Sequence, residues 1–260
     1  MPNATLNRGI VKKELKPCLG LKTIFNQFLE ILYPKTCLIC HNPLADNTID
    51  NILCSDCRSG IKGNIPPLCI ICGRQIRAQE LKNKAHPACL RKNFAFQRAL
   101  SPYKYEGIIR EIIHKFKYQN RDYLSPFLGG LLINFIRQQH LNMKCFDLIM
   151  PIPLHKIRLK EREFNQAELL ACRIAKEFSL PLSLSNLRRK YQRKPQVELS
   201  KEERWKNIEN AFSLDNPEQI KGKNILLIDD VLTTAATSHE ASSLLKAGGA
   251  GNIFVLTLAN

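Results

Sequence analysis

Long apolar runs are missing from this 260-residue chain: none approaches the roughly 20 residues that cross a bilayer as a helix. Membrane insertion is therefore not expected. No apolar signal-peptide core follows Met1 and nothing else marks an oxidising compartment. Disulfides are thus an unexpected use for its cysteines, and the cytoplasm is the expected location. Acidic side chains are scarce too, with 23 Asp and Glu against 39 Lys and Arg and a formal net charge of +16. Such an excess favours polyanionic partners, nucleic acid or a polyphosphorylated small molecule, and charge alone does not choose between them. The remaining composition, 44% apolar and 24% charged, is that of a soluble globular protein. The length holds one α/β domain plus a small module.

Cysteine, by contrast, is plentiful and patterned. Cys37, Cys40, Cys54 and Cys57 form C-x2-C-x13-C-x2-C, and Cys69, Cys72, His86 and Cys89 form C-x2-C-x13-H-x2-C. The two sets are offset by a constant 32 residues, and CLIC at 37–40 is echoed by CIIC at 69–72. This reads as an internal duplication of a zinc-ribbon unit. Two thiolates separated by two residues supply two corners of a tetrahedron from one tight turn, and a second pair closes it. The constant offset favours one Zn2+ per repeat, although a cross-braced pairing of alternate half-sites uses the same residues. With no carboxylate in the pattern, the role expected of the metal is structural. Seven bound thiolates carry −7 and two Zn2+ carry +4, which moves the net charge from +16 to +13. Cys18, Cys145 and Cys172 fall outside the pattern, and the last two, among apolar neighbours, are expected to be inert packing residues.

Three segments follow from the chain's patterning: a tail with an amphipathic helix (1–35), the double metal module (36–92) and an α/β domain (93–260). In the first, residues 1–20 are polar without period, and Leu21, Ile24, Phe25, Phe28 and Leu32 share a helix face that ends before Pro34. That helix is expected to dock on the protein's own core. In the third, Ala99 to Tyr105 reads as a strand, Ile108–Tyr118 and roughly 123–140 as helices, and Phe146–Ile152 as a buried strand. A cation-rich stretch, Leu154 to Arg162, precedes a helix over Asn165–Glu177. Its guanidinium groups suit a pyrophosphate, and a solvated cationic turn is an equally good reading of the spacing.

The richest stretch is Ile225–Thr237, ILLIDDVLTTAAT. Four apolar residues end in adjacent carboxylates, Asp229 and Asp230, followed by the loop Val231, Leu232, Thr233, Thr234, Ala235, Ala236 and Thr237 and then a helical pattern. A run bounded this way reads as a buried parallel strand whose carboxyl end meets a helix start. Amide and hydroxyl donors there suit a phosphate, and paired carboxylates suit the vicinal hydroxyls of a ribose.

This order of strand, Asp-Asp and Thr-rich loop resembles the phosphoribosyl pyrophosphate (PRPP) motif of type I phosphoribosyltransferases. Together with PIPLHKIRLKEREFNQAELLA at 151–171, QVELSKEERWKNIENAF at 196–212 and the upstream cysteines, it resembles the ComF family of competence-associated proteins. The resemblance covers nearly the whole chain from about Leu21. It implies a Rossmann-like open, mostly parallel α/β sheet of the type I phosphoribosyltransferase kind behind a small cysteine-rich zinc-ribbon module. It further implies that Asp229 and Asp230 orient the ribose of a Mg2+–PRPP complex and that loop 231–237 holds the 5′-phosphate. Arg158, Arg162, Asn165 and Gln166 would sit at the pyrophosphate.

The family usually has Gly where this chain has Glu163 and Ala235; Gly admits positive φ, and Ala suits the position where φ is negative. The cations Arg188, Arg189, Lys190, Arg193 and Lys194 lie where such enzymes carry a loop that closes over PRPP. The same run can instead grip single-stranded DNA, with Tyr191 free to stack, or be merely solvated. Two functions are thus expected in parallel: a phosphoribosyltransferase of unknown acceptor, or a non-catalytic DNA-binding accessory of transformation working with a helicase or recombination protein.

Overall fold

The computed structural model describes residues 35–45, 50–190, 205 and 208–260. The tail, the helix expected over 21–32, Cys18, Tyr191, Arg193 and Lys194 lie outside the described residues.

The 32-residue duplication is written into the backbone. In each first half a tight turn closes on itself: His41 N donates to Cys37 O (3.0 Å) and Cys37 N to Asn42 O (2.8 Å), while Gly73 N donates to Cys69 O (2.9 Å) and Cys69 N to Arg74 O (2.7 Å). The residue after each cysteine pair, His41 or Gly73, takes positive φ, 60° and 73°. Gly73 is required twice over, since a Cβ there would lie 2.7 Å from the Ala99 carbonyl. In each second half a ligand residue precedes a short helix: Cys54 before α1 (Ser55–Ser59), His86 before α2 (Pro87–Leu90).

Beyond the ribbons come β1 (Arg98–Leu100), α3 (Gly107–Tyr118), α4 (Ser125–Gln138), β2 (Leu148–Pro151), α5 (Lys156–Arg162) and α6 (Gln166–Phe178). The chain continues through β3 (Leu187–Arg189), β4 (Phe212–Leu214), β5 (Ile225–Val231), α7 (Ala236–Ala247) and β6 (Ile253–Ala259). Four strands form one parallel sheet in the order β1-β6-β5-β2, and β3 pairs with β4 antiparallel. Strand alternation divides the core. Leu226, Ile228, Leu256 and Ile149 face α3, α4 and α6, and Leu227, Val255, Leu148 and Met150 face α7. Both faces being covered is why β5 reads as an unbroken apolar run.

The two ribbons straddle the β1 edge. Cys37, Leu53 and Cys57 join the core on the α3–α4–α6 face, whereas Cys69, Cys72 and Cys89 join the α7 face. Ala99 N donates to Ile71 O (2.7 Å), and Asn64 Nδ2 reaches the carbonyls of Ser101 and Tyr103, each at 3.0 Å.

Three local expectations are corrected. Regular pairing of the first strand stops at Leu100, and Tyr103 rejoins only through isolated bridges to Gly63 and Ala259. The cationic stretch after β2 is helix α5 rather than a turn: the His155 ring accepts from Ile157 N (3.3 Å) to start it, and Glu163 in the left-handed region stops it. Cys145 is exposed, not packed.

Candidate phosphate and ribose site beside the zinc ribbons

The thiols of Cys37, Cys40, Cys54 and Cys57 lie within 4.8 Å of one another, as do those of Cys69, Cys72 and Cys89. Pairing is therefore within each repeat, not cross-braced. In the second set, His86 Nδ1 bonds Glu80 Oε1 at 3.0 Å and Nε2 is buried without a partner. One ring nitrogen held by a carboxylate and the other bare is the arrangement of a zinc-ligating imidazole. These sulfur-rich, closed sets fit a structural Zn2+. Glu80, which orients His86, has no signature in the sequence.

At the carboxyl end of the sheet, β5 sends its two acids to opposite faces. Asp230 is 8% exposed and takes the Lys117 ammonium of α3 at 2.7 Å. Burial pulls the Lys117 pKa down, but the Asp230 carboxylate, aided by Tyr105 and Asp229, outweighs it and holds the ammonium above the ordinary lysine value. Asp229 Oδ1 accepts from Asp230 N at 2.8 Å. Burial, then the Asp230 charge, push the Asp229 carboxyl up to about 7, against the pull of Lys117 and Arg189. Burial thus favours the neutral form of Asp229, while the Lys117 ammonium is paired with Asp230.

Besides Lys117 on α3, cations approach the acids from β3 and α5. Arg189 on β3 is pulled down to about 10 by burial and by Arg158 and Arg162, with Asp229 opposing. Arg158 on α5 is lowered by burial and by Arg162, with Tyr118, Glu161 and Asp230 opposing. Arg162 is buried, donating Nη2 to the Tyr118 hydroxyl (3.1 Å) and Nη1 to Gln166 Oε1 (3.2 Å), with its guanidinium 4.8 Å from the Tyr118 ring centre. Arg158 is thus within electrostatic reach of Asp230, and Arg162 stands beside Arg158 and Arg189. Asn165 and Gln166 are placed behind them: Asn165 caps α6 through Ala167 N (3.1 Å) and binds Ile152 O (3.1 Å), and Gln166 ties Arg162 to Phe116 O. Of the cation run, Arg188 turns away to Asp215 (2.5 Å). Lys117 and Tyr118 carry no signal in the sequence, because a helical lysine and tyrosine look like surface residues until α3 is docked.

After Asp229 and Asp230, loop 231–237 curls into the N-terminus of α7. Leu232 N donates to Ala259 O (2.9 Å), anchoring it to β6, and Thr234 Oγ1 accepts from Ala236 N (3.4 Å). Asp229, Thr233, Thr234 and Thr237 line a small polar concavity with the loop backbone. Ala235 has φ 63° and Glu163 has φ 64°. Ala235 therefore does not relax to negative φ. Both positions where the ComF pattern usually carries Gly keep the left-handed backbone that Gly favours.

Comparison with known proteins agrees with this architecture. Residues 28–90 match a double zinc ribbon domain, and residues 165–260 match a phosphoribosyl transferase domain. The chain is 30% identical over 228 residues to competence protein F of Haemophilus influenzae, covering 86% of this chain and 96% of that protein. It is 28% identical over 232 residues to the DNA utilization protein YhgH of Salmonella typhimurium, covering 86% and 96%. It is 29% identical over 243 residues to competence protein ComFC of Bacillus subtilis, covering 85% and 93%. With a duplicated zinc ribbon straddling the edge of a phosphoribosyltransferase-type parallel sheet, and that likeness over most of its length, the chain belongs to the ComF family.

Proposed function

We propose that the protein binds PRPP together with Mg2+ at the carboxyl end of β5 and acts as a phosphoribosyltransferase-like protein of natural competence. The observation that carries this reading is convergence. A carboxylate pair, a donor-rich loop at a helix N-terminus, and Arg158, Arg162 and Arg189 all meet where an open α/β sheet takes its ligands. Asp229 and Asp230 accept from the ribose hydroxyls, loop 231–237 takes the 5′-phosphate, and the guanidinium groups take the pyrophosphate. Mg2+ would be carried by the pyrophosphate and ribose oxygens and neutralise the leaving group. Ribosyl transfer through an oxocarbenium-like state requires exclusion of water. The acceptor is a nucleophile that no side chain identifies. The domain limits 1–35, 36–92 and 93–260 and a cytoplasmic location belong to the same proposal.

Calorimetric titration of Mg2+–PRPP into zinc-loaded protein tests it. Micromolar binding by the wild type, lost in Asp229→Asn/Asp230→Asn, is expected; equal binding by both proteins overturns the ribose assignment.

A second reading rests on the net charge of +16 and on relatives named for competence and DNA utilization. In it the protein is a non-catalytic single-stranded DNA-binding accessory, working with a helicase or recombination protein, in which the PRPP pocket is a sensor or a vestige. Salt-sensitive DNA affinity that disappears on neutralising Arg188, Lys190, Arg193 and Lys194, without pyrophosphate release from PRPP, would favour it.

A further inference from the structure

The phosphate loop has a wall made by the other module. Arg74 sits on the knuckle of the second ribbon, two residues after Cys72, where its own carbonyl accepts from Cys69 N. Its half-buried side chain crosses to the loop, and Nη2 donates to Leu232 O at 2.8 Å and also to Thr233 O. These are successive carbonyls, and each belongs to the same rigid peptide unit as the N–H of the following residue. In a trans peptide the C=O and N–H point in opposite directions. Gripping the carbonyls of Leu232 and Thr233 from the ribbon side therefore turns the N–H groups of Thr233 and Thr234 away from the ribbon. Among the described residues those two amides have no hydrogen-bond partner. Two concavities share this loop: Arg74, Lys92 and Phe94 line one, and Asp229, Thr237 and Ser238 line the other. A donor on a carbonyl also polarises the peptide and strengthens its N–H.

We infer that Arg74, delivered by the zinc knuckle, is a positioning residue for the 5′-phosphate loop, holding the Thr233 and Thr234 amides aimed at the anion. The inference rests on reading loop 231–237 as the 5′-phosphate site. It gives the zinc module a part in ligand binding that its closed metal sites do not suggest. Arg74's side-chain hydrogen bonds go to this loop and not to α5 or β3, which carry the cations of the pyrophosphate side.

That asymmetry supplies the test. Ribose 5-phosphate and inorganic pyrophosphate are titrated separately into wild type, Arg74→Ala and Arg74→Lys proteins of equal zinc content, while 15N NMR follows the Thr233 and Thr234 amides. Arg74→Ala is expected to weaken ribose 5-phosphate by about tenfold or more, to leave pyrophosphate affinity unchanged and to move both amide resonances in the ligand-free protein. Arg74→Lys, which keeps a cationic donor, is expected to recover part of the affinity, and it reads the same quantities should the alanine variant not fold. Equal weakening of both ligands would make Arg74 a general structural residue and overturn the inference. So would unchanged affinity with unmoved amides. Should the wild type bind neither ligand, the PRPP reading falls, and the ligand-free amide shifts alone decide whether Arg74 sets the loop.

Discussion

Lys117 and Asp230 form a buried ion pair, with side chains 15% and 12% exposed, and removing one partner of such a pair strands the other's charge. Lys117→Met is therefore expected to cost on the order of 3–5 kcal/mol in chemical denaturation. Asp229 carries the opposite liability. Its native pKa of about 7 lies above the ordinary carboxylate value, so the native state holds a proton that the unfolded chain has released. The stability this contributes is complete below about pH 4 and is lost as pH rises through about 7. Asp229→Asn should thus gain stability over wild type at about pH 8 and none at about pH 4, as melting curves at both pH values would read. PRPP affinity, needing the carboxylate, should rise over the same interval. At Ala235 a side chain occupies the left-handed region at φ 63°, a strain of about 1–2 kcal/mol. Ala235→Gly should raise the melting temperature by about 2–4 °C. None of this strain is visible in the sequence except as a departure from the family's usual Gly.

At the scale of elements, β3 shows how a run of cations is sorted. Consecutive strand residues face opposite ways, so Arg188 meets Asp215 at the surface while Arg189 is carried toward Asp229. The exposed Arg188–Asp215 pair contributes little to stability. Arg189→Ala should lower pyrophosphate affinity by about tenfold or more, whereas Arg188→Ala should leave it unchanged, as competition titrations would show. In the sequence these arginines form one basic stretch; pairing with β4 separates them. Helix α5 makes the same point: the spacing Arg158 to Arg162 is one helical turn, which brings both guanidiniums to one side, and the stretch resembled a turn only because its capping by His155 and Glu163 is a matter of backbone geometry.

Across the whole molecule, the ribbons are a clamp on an edge. β1 has three residues and, among the described residues, pairs in the sheet only with β6, and its outer side is covered by the second ribbon through Ala99 N and Ile71 O. Metal analysis should find two Zn2+ per chain. Stripping them with a strong chelator should unfold both modules, expose the β1 edge and promote aggregation, seen as a fall in melting temperature with rising light scattering. A melting curve unmoved by chelation would separate the ribbons from the sheet's stability.

The sequence alone determined what depends on local spacing. The 32-residue repeat set the ligand types of both metal modules, because a metal needs particular atoms on a short turn. The apolar run into Asp229 and Asp230 set the strand, the loop and the helix after it, because these follow from periodicity and chain reversal. Tertiary structure alone decided what depends on contact between distant segments: the pairing of ligands within each repeat, Lys117 against Asp230, Arg189 against Asp229, and Arg74 against Leu232 and Thr233. Lys117, Arg189 and Arg74 lie from 40 to 159 residues from those partners, and only the parallel sheet, with helices on both faces and a ribbon at its edge, brings them together.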